Sequence, residues 1–174
     1  TYVSQFQKFF LQNKLNISSG CIVANRTNVI NQPSRISFRS TTLNRFILFI
    51  GIRKGSKDNK GYHFTEHFLN QCVPYGYRTI GINCSPDLPF DFSFESMLNN
   101  EVLKLMNNVN YVVVPSKLET FSMVSHEALS SGCKVIVRKG LAPSTWDHPS
   151  IIESKSDSDV DLLKIIEQEI SQHE

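Results

Sequence analysis

Apolar residues fall along this chain in two alternating rhythms. Short, β-branched runs, apolar at consecutive positions, occupy residues 21–24, 46–50, 78–82, 111–114 and 134–137, with a weaker one at 150–152. Runs of that length without polar alternation mark strands covered on both faces of a parallel sheet. Between them the apolar positions recur at helical spacing. Residues 61–71 place Phe64 and Phe68 four apart, and residues 94–107 put Leu98, Val102, Leu105 and Met106 on one face. Residues 122–131 carry Val124, Ala128 and Leu129, and residues 159–172 carry Leu163, Ile166 and Ile170. Residues 2–14 are also helical in character, whereas the polar stretch 25–45, with four arginines, reads as an exposed loop. Strand–helix–strand alternation with short links predicts an α/β fold: a single Rossmann-like, doubly wound parallel sheet of about six strands with helices on both faces.

Ligands of such sheets sit at the carboxyl ends of the strands, and two segments fall there. In residues 51–61, Gly51, Gly55 and Gly61 let backbone approach a ligand closely, and Arg53, Lys54, Lys57 and Lys60 supply cations. The helix that follows offers unpaired N–H groups and a positive dipole end, which suits phosphate. The stretch matches neither G-x-x-x-x-G-K-[ST] nor G-x-G-x-x-G, so a phosphate cradle and a solvated basic turn both stand. The second segment, residues 115–121, sets Glu119 just past a strand, and Glu127 follows inside the next helix. On spacing alone, Glu119 complementing the helix dipole and Glu127 as an ordinary helix glutamate explain the pair.

Composition narrows the picture. A chain of 174 residues fits one domain large enough to bury most of its apolar surface without staples. No apolar run approaches the length of a membrane span, and the first residues are not a signal peptide. The chain lacks an initiator Met, as a fragment of something longer would. Cys21, Cys72, Cys84 and Cys133 show no paired spacing and read as reduced, core-type thiols of a cytoplasmic protein. The net charge of +2 hides an uneven spread: residues 1–60 hold ten Lys/Arg against one acid, for +9, and residues 141–174 hold two against eight, for −6. A basic first third calls for an anionic partner: a phosphate-bearing ligand, a nucleic acid or a membrane surface. Without interleaved aromatics or a helix-turn-helix, nucleic acid is set aside.

Residues 115–136 resemble the signature of retaining GT-B glycosyltransferases of the family 4 type, P-S-x-x-E-x-F-G-x-x-x-x-E-A-x-A-x-G-x-P-V-I. Pro115, Ser116, Glu119, Phe121, Glu127, Ala128, Gly132, Val135 and Ile136 match, and Ser122, Ser130 and Lys134 depart from it. Ser122 stands for a glycine whose backbone the family places close to the donor sugar. The seven residues between the glutamates are the most specific mark. Gly51 with Arg53, and Lys60 with Gly61, are similar to the family's glycine, arginine and Lys-Gly pair. Gly81 resembles the glycine of its third strand, with Asn83 in place of a second glycine, and Asn25 resembles the Asn of its Asn-Gly pair, with Arg26 in the glycine's place.

The resemblance implies that residues 1–18 are a helix or linker from a preceding domain and residues 19–174 the donor-binding domain. The active site would lie between two domains, the missing N-terminal one holding the acceptor, so this chain alone is expected to bind a nucleoside diphosphate without transferring sugar. It implies catalytic roles for Glu119, Arg53 and Lys60: Glu119 on hydroxyls of the donor sugar, the two cations on the leaving diphosphate, assisted by the helix N-terminus at residues 122–124. Glu127 would take both ribose hydroxyls, which suits an acceptor of two O–H donors at once. Gly51, Phe121, Ser122 and Met123 complete the implied donor-binding set. The implied donor is a UDP-, GDP- or ADP-sugar, with no cofactor and no metal expected. The implied acceptor is a glycan or lipid-linked glycan of cell-surface polysaccharide synthesis, expected to be reached from the cytoplasm, with peripheral association at the inner membrane face as an option. Two other readings remain. One is a non-catalytic nucleotide-binding regulatory module. The other is a zinc hydrolase built on His63, Glu66 and His67, an H-x-x-E-H pattern for which no third ligand is identifiable.

Overall fold

The computed structural model describes residues 45–55, 58–119, 121–141 and 147–171. The strand expected at 21–24, the helix at 2–14, nearly all of the arginine-bearing stretch, the boundary at residue 18, and Lys57 lie outside them. Six strands form one sheet: β1 (Arg45–Ile50), β2 (Tyr77–Ile82), β3 (Phe92–Phe94), β4 (Tyr111–Val114), β5 (Lys134–Val137) and β6 (Ile151–Glu153). Their spatial order is β3-β2-β1-β4-β5-β6. Every pairing is parallel, with Phe49 opposite Gly81 and Val112 opposite Val135. Four helices accompany them: α1 (Tyr62–Gln71), α2 (Asn99–Met106), α3 (Met123–Ser130) and α4 (Asp159–Ser171). None of the described helices is long and apolar enough to cross a membrane.

Alternate residues of β1, β4 and β5 feed two separate cores, which is why these strands are apolar at consecutive positions. Ile47, Phe49, Tyr111, Val113 and Ile136 meet Phe64 and Phe68 of α1 and Leu162, Ile166 and Ile170 of α4. Leu48, Val112, Val114, Val135 and Val137 meet Val102, Leu103 and Met106 of α2 and Ala128 of α3. Helices thus cover both faces, as the doubly wound reading expects.

Three expectations need correction. β3 has no counterpart among the expected strands, because Phe92 and Phe94 stand partly exposed at the sheet edge and form no apolar run. The helix expected at 94–107 is shorter, since Phe94 belongs to β3. Leu98, expected on the buried face, is 69% exposed and precedes the first turn, where the Glu101 carboxylate accepts its N–H at 3.0 Å. In α4 the buried stripe runs through Leu162 instead of Leu163. Cys72, Cys84 and Cys133 are free thiols, and burial pushes that of Cys133 up to about 12.

Phe68 lies at the centre of the first core, its ring 5.7 Å from that of Phe49 and stacked on Phe64 at 6.2 Å. Phe68→Ala should cost about 3–5 kcal/mol in urea unfolding. Tyr75→Ala, at a residue 96% exposed, should stay within about 0.5 kcal/mol.

Candidate functional site

The strand order reverses between β1 and β4, whose crossovers leave in opposite directions and open a crevice at their carboxyl ends. Residues 51–61 leave β1 there and residues 115–122 leave β4. Gly51, in the left-handed region at φ 71°, turns the chain out of β1 while its N–H bonds the Ile82 carbonyl at 2.9 Å. Gly61, at φ 72°, begins α1 and touches the other loop directly: a Cβ there would stand 2.4 Å from the Pro115 carbonyl oxygen. The two loops are also tied by the Lys117 N–H donating to the Asn59 carbonyl at 2.8 Å and by a Lys117–Asp58 ion pair at 2.9 Å. Burial opposes ionisation of Asp58, but the Lys117 ammonium and the N–H groups of His63 and Tyr62 outweigh it and hold the carboxyl below its ordinary value.

Across this seam Lys60 meets Glu119, Nζ to Oε2 at 3.2 Å, with the glutamate side chain 17% exposed. Arg53, exposed beyond β1, donates to the Asn83 side-chain carbonyl beyond β2. The neighbouring cation is otherwise engaged. Lys54 faces the Asp87 carboxylate at 3.8 Å and lies over the Tyr62 ring, while its own N–H bonds Ser85 Oγ. The Tyr62 hydroxyl donates to Asp87 at 2.6 Å, which lowers the Asp87 pKa and raises that of Tyr62. Among the described residues Arg53 therefore faces a neutral amide, whereas Lys54, Lys60 and Lys117 face carboxylates.

At the start of α3, Ser122 is buried and holds φ 58°, a conformation that favours glycine. Its hydroxyl accepts the Ser125 N–H at 3.3 Å and shares a 2.7 Å bond with the Ser125 hydroxyl, capping the helix. Asn83, which also stands for a family glycine, holds φ 54°. Met123 opens α3, and Phe121 stacks on His126 at 6.0 Å. Glu127 is half-buried in the second turn of α3. Burial raises its pKa, only partly opposed by the Asn99 amide at the start of α2 and by His126.

Arg138 escaped the sequence reading. It directly follows β5, is 1% exposed, and its Nε donates to the Pro115 carbonyl at 2.8 Å. The only signal for it in the sequence is a charge at the carboxyl end of a buried strand. The H-x-x-E-H residues do not converge: His63 Nδ1 lies 3.7 Å from Glu66, while His67 Nε2 lies 3.7 Å from Cys72 Sγ. Among the described residues no group of three or more His, Cys, Asp or Glu is placed to hold a metal ion. A recess lined by Phe46, Ile80, Phe92 and Leu105 lies along the β3 edge and has no charged lining, which does not suit an anion.

No protein family's model matches the chain, and no curated protein matches it. Solved structures do. Sucrose-phosphate synthase from Thermosynechococcus elongatus superposes with a TM-score of 0.75 at 16% identity, over 99% of this chain and 49% of that one. WaaG, a glycosyltransferase involved in lipopolysaccharide biosynthesis, gives 0.53 at 17% identity, over 75% and 39%. A UDP-forming trehalose-phosphate synthase from Burkholderia xenovorans gives 0.57 at 10% identity, over 74% and 37%. The fold is that of one Rossmann-like half of a GT-B glycosyltransferase, and the chain spans half or less of the length of these structures.

Gly61→Ala adds a Cβ against the Pro115 backbone at positive φ. It should cost about 2–4 kcal/mol by chemical denaturation, combining overpacking with left-handed strain. Gly76→Ala, at φ 77° but in open space, should show the strain alone, about 1–2 kcal/mol.

Proposed function

We propose that this chain is the donor-binding half of a glycosyltransferase that moves a sugar, with retention, from a nucleoside-diphosphate sugar to a glycan or lipid-linked glycan. The observation that carries the reading is the seam at the topological switch point, where Lys60 and Glu119 pair while Arg53 stands beyond β1 with a neutral partner. That combination offers cations to a diphosphate and a carboxylate to sugar hydroxyls in one crevice. Support comes also from the similar structures, one of which is a UDP-forming synthase.

In this reading, Arg53 and Lys60 bind the diphosphate and stabilise its charge as it leaves. Diphosphate binding draws Lys60 away from Glu119, which frees that carboxylate for hydroxyls of the sugar. Glu127 accepts the two ribose hydroxyls. Gly51 lets backbone approach the phosphates, and the α3 N-terminus at Ser122 and Met123, with Phe121 beside it, adds N–H groups on the same side. The donor class is UDP-, GDP- or ADP-sugar, the cations taking the place of a divalent metal. The acceptor is held by a second domain, so these residues alone bind donor without transferring sugar.

Isothermal titration with nucleoside, nucleoside diphosphate and sugar nucleotide separates the roles. Glu127→Ala should weaken all three, and Glu119→Ala only the sugar nucleotide, each by about 1.5–3 kcal/mol, the size of a hydrogen bond to a charged group. Arg53→Ala should weaken the diphosphates much more than the nucleoside, with an effect that shrinks as salt rises. Equal losses for every ligand at both glutamates would break the assignment.

The raised pKa of Glu127 adds a pH signature. The folded protein holds that proton more tightly than the unfolded chain, so this group favours folding on the acid side and loses that contribution as pH rises through its raised value. Ribose binding needs the ionised form and should run the opposite way. Affinity for the nucleoside, which carries no phosphate, should fall as pH drops through a midpoint above the ordinary 4.5, and Glu127→Gln should abolish that dependence.

A further inference from the structure

We propose that Arg138 is the positioning residue of this site, fixing the β4–α3 loop so that Glu119 stands where the sugar binds. The inference rests on the donor-site reading above for its ligand, but not for its geometry. Arg138 is 1% exposed, and burying a guanidinium is costly unless every arm of the fork is met. The arms are met by two segments, the β4–α3 loop on one side and the entry to α4 on the other. Nε donates to the Pro115 carbonyl at 2.8 Å, Nη1 to the Asp157 carbonyl at 2.7 Å, and Nη2 to the Asp159 carboxylate at the start of α4. The guanidinium carbon also lies 5.5 Å from the centre of the Phe64 ring of α1.

The Pro115 carbonyl is the critical partner. Proline has no N–H, so this residue can be tethered through its backbone only at the carbonyl. The same oxygen is the atom against which Gly61 packs. One buried side chain therefore sets how closely the loop carrying Lys60 approaches the loop carrying Glu119, and the 2.8 Å Lys117–Asn59 bond and the 3.2 Å ion pair follow from that approach. An apolar residue of similar volume would fill the core as well or better, but it would leave the loop untethered. Lysine keeps the charge but cannot reproduce the three-way fork. The role is thus to hold geometry, and Arg138 itself meets no ligand.

The test compares Arg138→Lys and Arg138→Met with the wild-type chain by amide hydrogen exchange and by titration with a nucleoside and the corresponding sugar nucleotide. In Arg138→Lys, the Lys117 amide, which spans the two loops, should lose protection at least tenfold, while the Val135 amide in β5 stays within twofold. Affinity for the sugar nucleotide should fall about tenfold and that for the nucleoside less than twofold. Asp159→Asn, which weakens one arm of the fork, should move the same quantities in the same direction by less. Parallel loss of protection at Lys117 and Val135 would mean that Arg138 only stabilises the domain, and would overturn the proposal. So would unchanged protection at Lys117, or equal weakening of both ligands. Should Arg138→Met fail to fold, the lysine variant decides alone. Should the wild-type chain bind no sugar nucleotide, the donor-site reading fails while the exchange measurement still decides whether Arg138 positions the loop.

Discussion

A sheet wound in both directions from β1 must part its crossovers where β1 and β4 lie side by side, and the described chemistry gathers at that parting. Neither strand can cover its own carboxyl end, because its connection leaves over the opposite face from its neighbour's. The loops must then find packing in each other. Here they do so through the tightest backbone approach among the described glycines at this end of the sheet, Gly61 against Pro115, followed by the Lys117–Asn59 bond and the Lys60–Glu119 pair. The crevice is a consequence of topology, and Gly61 permits the close approach of the two loops that border it.

Electrostatics refine what topology provides. The segment 51–61 carries four cations against one acid in the sequence, and the fold distributes partners selectively. Asp87 faces Lys54 and Asp58 faces Lys117, while Arg53 receives only the Asn83 amide among the described residues. A cation that faces a neutral partner loses less on exchanging it for an anion than one already in an ion pair.

Most of the frame was legible because strands buried on both faces advertise themselves: 46–50, 78–82, 111–114 and 134–137 coincide with β1, β2, β4 and β5 to within one residue. β3 was not, since a three-residue edge strand with exposed phenylalanines buries too little to leave a pattern. The segments forming the crevice were legible from strand-end position, and the residue types of 115–136 singled out Glu119 and Glu127 among many acids. Their partners were not. Asn83 meets Arg53 from 30 residues away, Arg138 meets Pro115 from 23 residues away, and Asn99 meets Glu127 from the start of α2, and nothing in local spacing announces a contact made across a sheet. Among the described residues, Asn83 and Ser122, which stand for family glycines, keep the glycine-like φ, so there the backbone path outlasts the residue type.

Both margins of the described sheet are three residues long, β3 on one side and β6 on the other, against six in β1 and β2. A short margin exposes few unpaired N–H and C=O groups, so it offers a poor template for another chain to extend. That matters most at β3, where Phe92 and Phe94 give the margin an oily character that would otherwise invite lateral growth. A lengthening of this strand by even a few β-prone residues would turn a terminated ladder into one open to polymerisation.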